Sequence, residues 1–394
     1  TAVVGTVSGT TISFGTPVSF NSVTTSNFSV AFDSNVNKVV VGYQNSGGNS
    51  KTKVGTVSGT SISFGSQGAF GSGGYGYETV MTFDSNSNKI VLIRNDSENA
   101  AGYGTAEIGT ISGTTISFAT PVTFHSSYSS KFSATFDSNL NKVVVAFKDD
   151  GASDYGKAAV GTVSGTTISF GTPVSFNSGA TGPTSLAFDT NANKVILGYQ
   201  DNGNSNIGKV AVGTVSGTTI SFGTAVTFNN ATTYKISCAF DSFSGRALVV
   251  FQNSNNDGRV SAGVITGTNI AMDTAVVYDS GTGDHPAAVF DSNSNKMVIA
   301  YKASTTYGRG VVWTTGWIDS NLTSDNYIGI SDGAYANAAT ATIQVVGATD
   351  DAQSGLTTGS KYYVQTDGTL STTAGDPSVY AGIALSATKL LIKG

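Results

Sequence analysis

Charged side chains are scarce in this chain. Asp, Glu, Lys and Arg make up 11% of its 394 residues, against roughly 25% in ordinary globular domains. Twenty basic residues are spread thinly against 25 acidic ones, for a net charge of -5. Phosphate binding needs a basic stripe, so nucleic acid is set aside as a partner. Cys238 is the one cysteine. An intrachain disulfide is therefore excluded, and a lone Cys in a strand reads as a small core residue. No apolar run approaches the ~18 residues of a membrane span, so membrane insertion is not expected. The opening Thr-Ala-Val-Val-Gly does not read as a signal peptide. It starts inside a strand without Met, as a processed chain or a segment of a longer one would.

Ser, Thr, Asn and Gly fill the gap, with Gly alone at 49. Val, Ile, Phe and Tyr recur throughout, which argues against disorder, since disorder joins low hydrophobicity to high net charge. A surface rich in hydroxyl and amide groups suits an extracellular or virion-surface protein.

Self-comparison gives the strongest signal. Val-Gly-Thr-Val-Ser-Gly-Thr begins at Val4 and returns at Val54, Ile108, Val160 and Val212, with a looser copy at Ala262. The steps are 50, 54, 52, 52 and 50 residues. A second phrase, Phe-Asp-Ser-Asn-x-Asn-Lys, starts at Phe32, Phe83, Phe136, Phe188, Phe240 and Phe290; the Phe240 copy departs most, reading Phe-Asp-Ser-Phe-Ser-Gly-Arg. A period near 50 in strand-like sequence predicts propeller blades of one four-stranded antiparallel sheet each.

Within a copy, period-2 alternation marks four strands, a to d in chain order, with a polar loop between b and c. Pro17, Pro121 and Pro173 fall in strand b. Proline cannot donate to a ladder, so b should be the outer edge and the blade order c-d-a-b, with c nearest the axis. The a–b and c–d turns then share one face and repeat almost unchanged. The b–c and d–a loops share the other face and vary. Variable loops on a rigid scaffold are where binding usually resides.

Six copies of c–d compete with seven candidates for strand a. The favoured closure has six blades, with residues 2–20 completing the blade begun by residues 286–301 and residues 308–317 leaving as an exit strand. In the rival, residues 308–317 complete that blade and the N-terminal hairpin pairs elsewhere; a seven-bladed ring is the other alternative. The propeller is assigned to residues 1–317, a polar linker to 318–326 and a small β domain to 327–394. In the last, residues 361–365 and 369–373 flank Asp367-Gly368 as a hairpin, and residues 383–392 read as one apolar strand.

Repeats reading Val-Ser-Gly-Thr-x-Ile-Ser-Phe-Gly-Thr-Pro-Val, with Phe-Asp-Ser-Asn-x-Asn-Lys-Val-Val, resemble repeat proteins of marine phages such as those infecting cyanobacteria. The tail resembles a small module at the ends of phage fibre proteins, through Asp351-Ala-Gln-Ser-Gly-Leu-Thr, Lys361-Tyr-Tyr-Val-Gln-Thr-Asp-Gly-Thr-Leu-Ser-Thr and Ala384-Leu-Ser-Ala-Thr-Lys-Leu-Leu-Ile. The resemblance implies a virion appendage with a structural or attachment role and no catalytic residues. Its partners would be other virion proteins and a host-surface glycan or receptor, with a threefold assembly as in fibres. A weaker likeness is to sialidase-type propellers. Their Asp-box would fall at Ser164-Gly165-Thr166-Thr167-Ile168-Ser169-Phe170, which lacks the Asp and Trp.

His125 and His285 lie far apart in sequence, and carboxylates such as Glu78, Glu107 and Asp149 show no pairing by spacing. No catalytic set, cofactor site or metal site is therefore expected. Asp33-Ser34-Asn35-Val36-Asn37 imitates a calcium loop but lacks its Gly and Glu, and reads as a structural turn. The varied face offers Tyr75, Tyr77, Arg94, Asp96, Tyr103, Tyr128, Lys148, Tyr155, Asp201 and Tyr234 as candidate ligand-binding residues. Aromatic faces and amides suit sugars, as they suit antibody loops. The reading is a non-enzymatic appendage that presents this face to a host glycan. The alternatives are a purely structural capsid fibre or decoration, a secreted adhesin or filament subunit, and a glycosidase.

Overall fold

A computed structural model describes residues 1–46, 50–70, 78–96, 102–303, 307–313, 329–332, 340, 342–365, 369–374 and 378–393. All regular structure among them is β. The chain divides into two compact units, Thr1–Thr314 and Thr315–Gly394.

The first unit is a six-bladed propeller. In blade 1, strand c (Thr25–Asp33) pairs antiparallel with d (Lys38–Asn45), d with a (Ser50–Ser58), and a with b (Ser61–Phe64). The order c-d-a-b recurs through blade 5, as the edge prolines require. Blade 6 has c (Asp284–Asp291), d (Lys296–Lys302) and a (Gly308–Trp313).

Strand b is interrupted. In blade 3 it runs Thr167–Phe170, leaves the ladder at Gly-Thr-Pro, and rejoins strand a (Tyr155–Ser164) at the start of Val174–Asp189. Pro173 sits in the break, where no ladder donor is needed. Gly171 makes the break possible. A Cβ there would lie 1.9 Å from the Thr218 carbonyl oxygen at the next blade's a–b turn, and Gly15, Gly65 and Gly223 stand equally close to Thr60, Thr114 and Thr268.

The polar loop expected between b and c is absent at three junctions. Val122–Asp137, Val174–Asp189 and Val226–Asp241 are continuous 16-residue strands that end one blade and begin the next. Extended backbone with a local bulge does the work of a loop there.

The repeated phrases have direct physical roles. In all six copies the Asp carboxylate accepts two turn amides, as Asp33 Oδ1 does from Asn35 (2.9 Å) and Val36 (3.2 Å). The second Asn of the phrase is left-handed, with φ of 52–56° at Asn37, Asn88, Asn141, Asn193 and Asn295, and the departing fifth copy supplies Gly245 at 69°. The phrase is therefore a side-chain-capped turn. Its Lys returns to strand a: Lys38, Lys142 and Lys194 donate to Thr56, Thr162 and Thr214 at 2.7–3.0 Å.

Adjacent blades share apolar cores, five of which join successive blades. Serines stitch the inner strands: Ser29, Ser185 and Ser237 accept from the backbone amides of Met81, Cys238 and Ala288 at 2.8–3.1 Å, one blade on. Cys238 is a core residue here, and burial pushes its thiol up to about 12, the inert state of a structural cysteine.

Ring closure departs from the favoured expectation. Gly308–Trp313 pairs with Lys296–Lys302 as strand a of blade 6, the place reserved for the N-terminal hairpin. That hairpin, Gly5–Ser8 with Thr11–Phe14, sits at the seam. Phe20 packs on Tyr43 and Phe64 of blade 1, and the Phe14 ring lies against Gly310 of blade 6. The rival closure is the one observed. Pairing in register with the preceding strand d wins because Gly308–Trp313 follows it directly and needs no long-range closure.

The second unit holds a five-stranded sheet in the order Thr349–Asp350, Lys389–Ile392, Val379–Ser386, Lys361–Val364, Leu370–Ser371. The run 383–392 is not one strand: it turns back on itself, with Ser386 opposite Lys389. Asp367 and Gly368 lie outside the described residues.

Candidate functional site

Five of the six inner strands carry a bulge near their start, and the blade 2 strand (Thr79–Asp84) pairs in unbroken register. Register skips between Ser26 and Ser29, Ser130 and Ser133, Thr181 and Thr184, Tyr234 and Ser237, and Asp284 and Ala287. Bulges re-aim side chains and gather beside functional sites. Six residues before the repeat's Asp stand Asn27, Glu78, Lys131, Pro183, Lys235 and His285. All six line one cavity of about 490 Å³, together with Phe28, Thr79 and other residues of the six inner strands. The cavity is thus axial, and it lies toward the end of the channel where strand c begins, on the varied face.

The backbone there is strained. Asn27, Lys131, Lys235 and His285 have φ of 51°, 55°, 48° and 49°. Asn tolerates this region. Lys and His do so at a cost of roughly 1–3 kcal/mol each. Only the closing Phe-Asp of the inner strand is the same in all six blades; this position holds Asn, Glu, Lys, Pro, Lys and His in turn. Glu78 and Lys131 form one pair, Nζ to Oε1 at 2.8 Å, and the Lys131 amide also donates to Glu78. His285 Nδ1 meets Asp284 at 2.7 Å. Lys235 is exposed and has no ion pair among the described residues. Phe28 is 55% exposed beside them.

The structure scatters the tyrosine-led set chosen from sequence. Tyr75 and Tyr77 lie outside the described residues. Tyr128 and Tyr234 are exposed, at 47% and 42%. Tyr103, opposite Tyr128 across the ladder, is half-buried, as is Tyr155. Lys148 is held between Asp150 (2.9 Å) and Asp154 (3.0 Å). Arg94, Asp96 and Asp201 are not on the surface at all. Arg94 is 2% exposed, bound to Glu107 at 2.7 Å and Asp96 at 3.3 Å. It occupies the strand-d position that holds Tyr43, Phe147, Tyr199, Phe251 and Tyr301 in other blades, opposite a Lys or Arg on strand a. Blade 2 puts the cation on d and Thr105 opposite it on a, so the charge faces inward and Glu107 answers it. Asp201 is likewise bound to Lys209, at 2.7 Å.

A Ser–His–Asp chain does occur. Ser129 Oγ lies 3.0 Å from His125 Nδ1, and His125 Nε2 lies 3.2 Å from Asp149. Three facts exclude it as a nucleophile system. Ser129 is 0% exposed. Its hydroxyl donates to the Ser127 carbonyl. The same bracket recurs with no histidine, as Asn177 with Thr181 and Asn229 with Thr233. The residues pin the corner where b becomes c. Burial pushes the His125 imidazole below its usual range despite Asp149. Burial opposes the Asp149 charge too, but Lys157 at 2.6 Å and His125 hold its pKa below the ordinary carboxylate value.

Sequence reasoning missed the axial ring because it looked for long loops. Aligning the copies on their Asp puts Asn27, Glu78, Lys131, Pro183, Lys235 and His285 in one column, but the neighbouring columns vary too, so only the structure singles it out.

No protein-family model matches the sequence, and no curated protein matches it. Solved structures do match the fold. The SapL1 lectin, in complex with alpha methyl fucoside, superposes with a TM-score of 0.50 at 14% identity, over 74% of this chain and 93% of that one. A lectin from Burkholderia pseudomallei gives 0.51 at 12% identity, over 70% and 81%. AofleA from Arthrobotrys oligospora gives 0.50 at 11%, over 73% and 83%. At such identities the likeness is one of fold, and what the first unit shares with these proteins is the propeller itself.

Proposed function

We propose that this chain is a non-enzymatic glycan-binding propeller of a virion appendage, which presents its varied face to a host surface. The observation that carries the reading is the axial cavity, whose lining takes from each of the six blades the residue six places before its repeat Asp. Its volume falls within the roughly 300–1,000 Å³ of small-ligand sites. It combines an exposed aromatic ring with amide and charged groups, the mixture that grips a pyranose. The lectin character of proteins with the same fold supports a sugar as ligand. The phage-like repeats and tail module support the virion setting, with other virion proteins and a host-surface glycan as partners.

The test is binding of the full chain to an array of immobilised glycans, repeated with Phe28→Ala. Retention on a subset of glycans, weakened roughly tenfold or more by the substitution, is the expected result. Binding to none would remove the glycan reading, and release of sugar from the array would make the protein a glycosidase. Labelling of intact particles with antibody to the chain checks the appendage setting; particles without label would refute it.

A further inference from the structure

We propose that the axial cavity selects an acidic sugar, carboxylated or sulfated, with Lys235 as the residue that meets its negative charge. This rests on the glycan-binding reading above and names the ligand class for that site.

Charge within the ring leads there. Glu78 is the one acidic residue among the described residues lining the cavity. Lys131 satisfies it through both its ammonium and its backbone amide. That leaves Lys235, exposed and without an ion pair among the described residues, and next to it around the ring His285. His285 meets Asp284 through Nδ1 alone. Pro183, on the other side of Lys235, brings no charge. The uncompensated sign is positive, and it belongs to the half of the ring away from the Glu78–Lys131 pair. Phe28 adds an exposed apolar face to the same cavity.

Strain is the second, independent observation. Lys235 holds φ at 48°, a conformation that Asn or Gly adopts with less cost. Blade 1 places Asn27 at the same repeat position with φ of 51°. A Lys kept in this conformation contributes no ion pair among the described residues. Observed strain of this kind marks positions retained for what they contact.

The experiment compares the full chain with Lys235→Asn and Lys235→Glu on matched probes: lactose against sialyllactose, galactose against galacturonate, and methyl α-fucoside as a further neutral sugar. The wild type should prefer the acidic member of each pair by roughly tenfold, as charge-assisted hydrogen bonds provide. The preference should shrink when salt is raised from about 50 to 500 mM. Lys235→Asn should melt no lower than wild type while losing the preference, and Lys235→Glu should reverse it. Neutral sugars bound as well as acidic ones, or a preference untouched by Lys235→Glu, would overturn the inference while leaving glycan binding intact. Binding to no probe, acidic or neutral, would overturn both.

Discussion

His125 differs from its counterparts in one respect. Asn177 and Asn229 pin the same corner with an amide that never titrates. His125 pins it with an imidazole whose pKa burial holds below the usual range. In the unfolded chain the same group titrates near 6.5. Above that pH the imidazole is neutral in both states, and the corner contributes its full stability. As pH falls below it, the unfolded chain takes up the proton first, so stability declines until the folded pKa is passed. Asp149 stays ionised through this window, since its own pKa is lowered. His125→Asn restores the residue used by the repeat elsewhere. It should flatten the fall in melting temperature between about pH 7 and pH 5, with little change at pH 8. A variant with the same slope as wild type would show that the pH response arises at another group.

At the scale of the element, the six Asp-headed turns make a matched set for measuring what a repeated phrase does. Asp189 is buried and accepts from the amides of Asn191 and Ala192, both at 2.8 Å. Asp189→Ala strands both donors and should lower the unfolding free energy by about 1–3 kcal/mol in urea melts. Asn193→Gly should be nearly neutral, because the left-handed φ of 53° suits glycine and the fifth copy already has Gly245 there. Equal losses in the two variants would mean that the turn is held by something other than this cap. These turns were legible in the sequence because a side-chain cap and a left-handed residue leave fixed residue types at fixed spacing. Strand order was legible for a similar reason, since Pro121 and Pro173 can occupy only an edge or a break. The candidate site was not. Arg94 resembles a loop residue because blade 2 exchanges the chemistry of two facing strand positions, and only the ladder reveals that Glu107 lies within reach. The continuous Val226–Asp241 strand was hidden by polar residues such as Asn229, Asn230 and Thr232, which point to a loop by composition yet serve as bracket and bulge.

The whole ring depends on its seam. Repeat arrays gain stability from nearest-neighbour interfaces, and an open array frays from its ends. Here the two ends are joined by the N-terminal hairpin. Phe20 binds it to Tyr43 and Phe64 of blade 1, as Phe124 binds blade 2 to Phe147 and Phe170 of blade 3. On its other side, Phe14 covers Gly310 of blade 6. The inner strands contribute little at this seam: Val30 and Phe32 of blade 1 and Val289 of blade 6 remain exposed, whereas Ala239, between blades 5 and 6, is buried. The hairpin is therefore the clasp, and its effect should extend beyond its own residues. Phe20→Ala removes a buried ring and should cost roughly 3–5 kcal/mol. Native-state hydrogen exchange should then show blades 1 and 6 losing protection together, far apart in sequence but adjacent at the seam, while strand d of blades 3 and 4 changes least. If protection is lost only within residues 2–20, the hairpin is an appendix to blade 1 and the ring is held by its inner strands alone.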